Sequence, residues 1–220
     1  MLPTVRDVRA HFINELLHEN YTKDRNGGKT IEMIGACFVA DEKSIFGEPN
    51  QTYINSEIDW YLSQSTNIYD IYEEEGKQPP SAWTATANQH GEINSNYGYL
   101  IFDDKFYNQY DRVLDELTQN PDSRRGQMIY NRPSIWTEFN DNGKNDFICT
   151  NAVGYYIRNG QLHANVQMRS NDVVFGYKND YAWQKYVQVQ LAKDLGVDPG
   201  QIVWQVANLH VYDRHFHLVN

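Results

Sequence analysis

Apolar residues along this chain follow two periods, and the change from one to the other sets out its elements. Val5, Val8, Phe12, Ile13 and Leu16 fall on one face of a helix, and Thr4-Val5-Arg6-Asp7 is suited to cap its start. Ile54, Glu57, Ile58 and Tyr61 share the face of a second helix. Phe106, Tyr110, Val113, Leu114 and Leu117 mark a third, which Asn120-Pro121 stops. Residues 146–157, 162–169 and 202–211 read as strands, as does the apolar run from Thr30 through Ile34-Gly35-Ala36-Cys37-Phe38-Val39. Arg158-Asn159-Gly160-Gln161 signals a hairpin, because Asn-Gly accepts the positive φ of a tight primed turn. Helical spacing returns over residues 181–195, with Gly196 as the C′ residue.

Lys23-Asp24-Arg25-Asn26-Gly27-Gly28-Lys29 is a polar, glycine-bearing loop. Residues 67–81 are acidic and contain Gln78-Pro79-Pro80, which reads as a surface insertion rather than a linker. No repeat or second domain interrupts the pattern. The expectation is one α/β (α+β) domain over residues 1–220, with a mixed or mainly antiparallel sheet and flanking helices. Its 220 residues are ample for a buried core.

The formal net charge of −10 disfavours stable contact with nucleic acid or an anionic membrane. A bound phosphate would have to be held by a local cluster of arginines. No apolar run approaches the roughly 18 residues of a spanning helix, and Arg6, Asp7 and Arg9 break up the N-terminus, so the chain reads as cytoplasmic. The two cysteines do not make a disulfide framework. Cys37 reads as a small buried hydrophobe, whereas Cys149 has the polar neighbours Asp146 and Thr150-Asn151. With no C-x-x-C or H-E-x-x-H spacing, no metal is expected.

Three kinds of chemistry follow one another between residues 147 and 180. Phe147-Ile148-Cys149-Thr150-Asn151 offers a thiol, Met168-Arg169-Ser170-Asn171-Asp172 a phosphate-binding pair, and Gly176-Tyr177-Lys178-Asn179-Asp180 a carboxylate able to read a nucleobase. In that order they describe an enzyme that attacks the base of a nucleotide. Other motifs join them: Ser56-Glu57-Ile58-Asp59-Trp60-Tyr61, Asn94-Ser95-Asn96-Tyr97-Gly98, Pro121-Asp122-Ser123-Arg124-Arg125-Gly126 and Leu209-His210-Val211-Tyr212. Taken one at a time, each has a plainer reading. Cys149 would be an inert core thiol, Arg124-Arg125 a solvated basic turn, Glu57 an exposed helix residue, and Asp180 the N-cap of the helix starting at Tyr181.

Over nearly the whole chain, these motifs and their spacing resemble the thymidylate synthase family, and within it the bacteriophage deoxycytidylate (dCMP) hydroxymethylase branch. The resemblance implies a thymidylate synthase-like fold and a homodimer packed sheet against sheet. It implies dCMP as substrate and 5,10-methylenetetrahydrofolate as co-substrate. Cys149 would be the nucleophile, Glu57 the general acid–base, and Tyr97 a member of the water and proton network. Arg169, Ser170 and Arg25 would hold the phosphate, joined by Arg124 and Arg125 from the partner subunit in a shared active site. His210 and Tyr212 would bind the sugar 3′-hydroxyl; Trp83 and Asp172 would line the folate site.

Asp180 bears most on the substrate. Members acting on dUMP carry Asn there, whose amide matches the O4 acceptor and N3 donor of uracil. Cytosine instead presents an amino donor and an acceptor at N3, which a carboxyl sharing a proton can match. Two departures from the methylating members stand out. Thr150 replaces the usual His after the cysteine, and the sequence ends at Asn220, soon after His215-Phe216-His217-Leu218, without the tail that closes over folate. The alternatives are a dCMP or CMP C5-methylase, a CMP hydroxymethylase, or a catalytically silent nucleotide- or RNA-binding relative. Retention of Cys149 and Glu57 argues against the silent reading.

Overall fold

The computed structural model describes residues 2–24, 27–72 and 77–220. It bears out the mixed sheet: six strands in the order β1-β2-β6-β5-β4-β3. These are β1 (Thr22–Lys23), β2 (Lys29–Val39), β3 (Gln127–Ile129), β4 (Thr150–Arg158), β5 (Gln161–Asp172) and β6 (Asp198–Tyr212). All neighbours run antiparallel except β5 and β6, which are parallel. That parallel pair needs a crossover, and the long helix α7 (Gly176–Leu195) supplies it. The remaining helices are α1 (Val5–Leu17), α2 (Gln51–Ser63), α3 (Ser81–Thr84), α4 (Tyr97–Phe102), α5 (Gln109–Gln119) and α6 (Ile135–Glu138).

Packing follows the apolar stripes. Val5, Val8 and Phe12 seat α1 against β2, and the Asp7 carboxylate accepts from Thr4 N at 2.8 Å, closing the expected cap. α7 packs on β5 and β6, with Tyr177 against Trp204 and Gln188 donating to Leu162 O, while Trp183 packs on Tyr61 of α2 and Phe102 of α4. Asn159 and Gly160 take the positive φ values, 53° and 74°, of the anticipated hairpin turn, and Gly196 ends α7 at φ 68°. Cys37 is half-buried rather than enclosed, and its neighbour Ile34 is 72% exposed. Both lie on β2, whose far face no helix among the described residues covers at Ile34.

Three boundaries differ from the periodicity. Phe106 lies in a 3₁₀ turn (Asp104–Phe106), separated from α5 by Tyr107 and Asn108 in left-handed conformations. The strand expected from residue 146 begins at Thr150, so Cys149 sits immediately before it. α7 begins at Gly176, which puts Asp180 inside the helix, and its reading as an N-cap is overturned.

The sheet also carries a transverse irregularity. Along β5 the buried positions are Leu162, Ala164, Val166 and Met168, then Asn171; along β6 the buried apolar positions are Ile202, Trp204 and Val206, then Leu209 and Val211, with His210 also buried between the last two. β2 changes in the same way, from Ile31 to Ala36 and Phe38, at Gly35 with φ 71°. β4 has a bulge between Thr150 and Ala152. The register places Gly35, Ala207 and Arg169 side by side with that bulge. The alternation of inner and outer residues therefore inverts across four strands along one row. The residues that build the site lie at and beyond that row.

Candidate active site

Cys149 precedes the bulged start of β4, where its backbone carbonyl accepts from Arg169 N at 2.9 Å. The Arg169 guanidinium is tied to the same loop: Nε donates to Ile148 O at 3.0 Å and Nη2 to Phe147 O at 2.6 Å. Nη2 also reaches Cys149 Sγ at 3.5 Å. Burial pushes the thiol up to about 11, and the Arg169 charge opposes that while Asp180 and Asp146 add to it. Burial thus favours the thiol form of the sulfur, with a cation in place to stabilise the thiolate when it forms.

The loop before Cys149 is also tied to the loop before Tyr97, through Asp146. Its Oδ2 accepts from Asn94 N at 2.6 Å and Ser95 N at 2.8 Å, and its Oδ1 from Ser95 Oγ at 2.8 Å. Asn96 then caps α4, accepting from Tyr99 N, while its amide donates to Trp60 O at the end of α2 and to Ser65 O. Gly98 makes this approach possible, since a Cβ there would lie 1.8 Å from Tyr61 O. Tyr97 is consequently buried, stacked on Tyr61 at 5.4 Å. Burial raises its hydroxyl well above the ordinary value, and the charges of Asp180 and Cys149 add to this.

Glu57 lies on the buried face of α2, 6% exposed, so the exposed-helix reading fails. Burial lifts its carboxyl to about 7 against two donors, Tyr53 and Trp83. The Tyr53 hydroxyl donates to Oε1 in a short hydrogen bond, and Trp83 Nε1 donates to the same oxygen at 3.2 Å. Trp83, expected at the folate wall, is thus directly bonded to the acid.

Asp180 faces inward from the second turn of α7. Its Oδ2 accepts from Asn171 Nδ2 at 2.7 Å, and Asn171 Oδ1 in turn accepts from Trp204 Nε1 at 3.2 Å. Burial and then the charge of Glu57 push Asp180 up to about 8. Two acids with neutral-range pKa values are thus coupled by charge, and Asp180 is coupled in turn to the Cys149 thiol, a grouping suited to proton transfer.

At the far side of the row, His210 and Tyr212 project from one face of β6, their rings 4.8 Å apart. His210 Nδ1 lies 3.3 Å from the backbone carbonyl of Asn208, so it carries the hydrogen and leaves Nε2 as an acceptor. Ser170 pairs with Asn208, and Asp172 with His210, on adjacent strands. Asp172 Oδ1 accepts from Val174 N, Phe175 N and Gly176 N. Its Oδ2 is buried without a hydrogen bond, with His215 Nδ1 3.9 Å away. An unsatisfied buried acceptor of this kind fits the donor edge of a pterin.

Arg124 and Arg125 are not part of this cluster. Both are exposed, and Arg125 pairs with Glu116 at 2.9 Å. The adjoining Gly126 bonds Tyr155 N, six residues along β4 from Cys149, or about 20 Å at the rise of a strand. Arg25 lies outside the described residues. Sequence reasoning missed Tyr53, Asn171 and Trp204. A tyrosine four residues before a buried glutamate is a helix-face pair that spacing alone could have flagged. Among the described residues no cluster of His, Cys, Asp and Glu is arranged to hold a metal ion, and no helix is long and apolar enough to cross a membrane.

The thymidylate synthase family model matches residues 10–220. A deoxycytidylate 5-hydroxymethyltransferase of Enterobacteria phage T6 is 51% identical, the match covering 99% of this chain and 89% of the relative. The enzyme of the same name from Enterobacteria phage T4 is 50% identical over the same shares. A thymidylate synthase of Fusobacterium nucleatum is 29% identical, covering 73% of this chain and 56% of the relative. The crystal structure of thymidylate synthase from T4 phage superposes with a TM-score of 0.75 at 22% identity, covering 94% of this chain and 77% of that one.

Proposed function

The chain belongs to the thymidylate synthase family, and on that premise we propose that it is a deoxycytidylate 5-hydroxymethyltransferase, converting dCMP to 5-hydroxymethyl-dCMP for the synthesis of modified-base DNA. The observation that carries this reading is Asp180: a carboxyl held near neutrality, with one oxygen fixed by Asn171, and close enough to Cys149 for its charge to act on the thiol. Cytosine N3 can share the proton of such a group while its 4-amino group donates to the other oxygen. The near-full-length similarity to phage enzymes of that name supports the same substrate.

In this scheme Cys149 Sγ adds to C6 of cytosine, helped by the Arg169 charge, and sharing of the N3 proton with Asp180 makes C6 more electrophilic. C5 thereby becomes the nucleophilic carbon. Bound 5,10-methylenetetrahydrofolate supplies the one-carbon unit, with Asp172 and Trp83 as the residues to hold it. Glu57 relays protons, and Tyr97 helps order the water that ends on the product as the hydroxyl. Arg169 and Ser170, with Arg25, engage the phosphate, and His210 Nε2 with Tyr212 engages the 3′-hydroxyl.

We further propose a homodimer. The uncovered face of the sheet, with Ile34 72% exposed, is the surface expected to meet its counterpart. Arg124 and Arg125, remote from Cys149 of their own chain, would then serve the partner's phosphate site. As a phage-type enzyme it would act in the cytoplasm of the host cell. The test of function is direct: incubate the protein with dCMP and methylenetetrahydrofolate and weigh the product. A mass gain of one hydroxymethyl group supports the assignment, a methyl group would make it a methylase, and unchanged dCMP would reject both.

A further inference from the structure

The carboxyl of Glu57 is held asymmetrically. Oε1 receives both the Tyr53 hydroxyl and Trp83 Nε1, the indole also pointing at the Tyr53 oxygen at 2.9 Å. Among the described residues no donor reaches Oε2. We propose that Tyr53 is a positioning residue for proton transfer, which by saturating Oε1 together with Trp83 confines the transferable proton of Glu57 to Oε2 and favours its release.

The argument is one of hydrogen-bond capacity. A carboxylic acid carries its proton on one oxygen, and the oxygen that accepts two external donors is the one that stays bare. Donors to the ionised form stabilise it, so the same contacts resist the effect of burial on Glu57. Tyr53 can do this because it lies one turn before Glu57 on α2, where side chains four apart meet. Its own proton is retained: burial, and then the Glu57 charge, hold the phenol far above its ordinary value. In its acid role Glu57 releases one proton from Oε2 and becomes a carboxylate; in its base role it regains one there, and the Tyr53 O–H bond stays intact throughout. The titratable groups facing Glu57 are Tyr53 and Tyr61 from α2 and Asp180 from α7, and α3 brings only the neutral indole of Trp83. Trp83 thereby links the proposed folate wall to the acid, so that displacement of the indole would be felt at Oε1.

This inference rests on Glu57 as the acid–base group of the proposed reaction, and the test separates the two. Tyr53→Phe keeps the ring and removes one hydroxyl. The titration of Glu57, followed by NMR of the ¹³C-labelled carboxyl without substrate and assigned with Glu57→Gln, should move above its midpoint of about 7. The expected rise is about one pH unit, the effect of losing one hydrogen bond to a charged acceptor. The pH profile of kcat/KM for dCMP should move in parallel, with the affinity for dCMP unchanged. Trp83→Phe, which removes the other donor, should move the titration in the same direction and covers the case in which Tyr53→Phe does not fold. An unmoved Glu57 titration in whichever variants fold overturns the inference, because a residue that only fills space leaves it alone. A shifted titration in an enzyme that forms no hydroxymethylated product would keep the Oε1 pairing and reject the functional reading.

Discussion

The side-chain amide of Asn171 donates to Asp180 at 2.7 Å and can do so in one orientation only, because its carbonyl is occupied by the indole N–H of Trp204. The consequence is a defined proton position on Asp180. Oδ2 accepts from the amide, so the acid's proton resides on Oδ1, where it can be shared with a cytosine N3.

Asp180→Asn replaces a group that can share a proton with cytosine N3 by an amide able to accept from uracil N3–H and donate to O4, and should lose dCMP activity and gain relative preference for dUMP. Hydrogen-bonding sites discriminate by up to about 10⁴ when the wrong edge leaves buried groups unpaired. The measurement is kcat/KM for both nucleotides in wild type and variant. An unchanged ratio would remove the main physical support for cytosine recognition. Asn171→Leu should weaken dCMP discrimination in the same assay, since the proton on Asp180 would no longer be assigned to one oxygen.

Cys149→Ser should abolish turnover and leave dCMP binding nearly intact, because a hydroxyl is close in shape and a far weaker nucleophile. Calorimetric binding beside a product assay checks both halves. Product formation at a wild-type rate would exclude Cys149 as the nucleophile.

If Arg125 serves the partner's site, two inactive proteins should complement each other. Arg125→Ala mixed with Cys149→Ser under conditions of subunit exchange can form hybrid dimers with one intact site of the two. Activity should recover to a fraction of wild type. With exchange confirmed independently, no recovery at all would count against a shared site.

Burial of Glu57 makes a signed prediction about stability. Its carboxyl rises from 4.5 to about 7 on folding, so the native state keeps a proton that the unfolded chain releases between those values. Stability is thus lost as pH rises through this window, and the cost of holding Glu57 charged is complete above about pH 7, amounting to at most ~3 kcal/mol. Glu57→Gln should melt at a higher temperature than wild type near pH 8.5 and at a similar temperature near pH 4. The same substitution should abolish activity. Equal melting temperatures at both pH values would show that the buried charge carries no such cost.

Much of this was legible in the chain because it is encoded locally. The Asn159-Gly160 turn, the α1 cap and the stripes of α2 and α5 need only spacing and propensity. The Cys149, Arg169 and Asp180 motifs were legible as a set because their chemistry is complementary. The start of α7 was not, since Gly176 and Asn179 are weak helix formers, and it is Tyr177 packed against Phe38 and Trp204 that carries the helix back to Gly176. Asn171 was passed over because its role depends on Trp204, 33 residues away in sequence. The proposed role of Arg124 and Arg125 in a partner's site would be a property of two chains, which no pattern within one chain contains.

The row through Gly35, Ala207, Arg169 and the β4 bulge means that this sheet has two phases of the strand repeat, a scaffold phase and a catalytic phase, joined at a seam. Within either phase a single inserted residue would turn Trp204 or Leu209 toward solvent and polar neighbours into the core. At the seam the phase already changes, so a strand can gain or lose a residue there without re-indexing either side. Because Arg169 lies on the seam and Cys149 at its edge, a length change there would spare the packing of the scaffold half and fall directly on the thiol and its neighbouring cation.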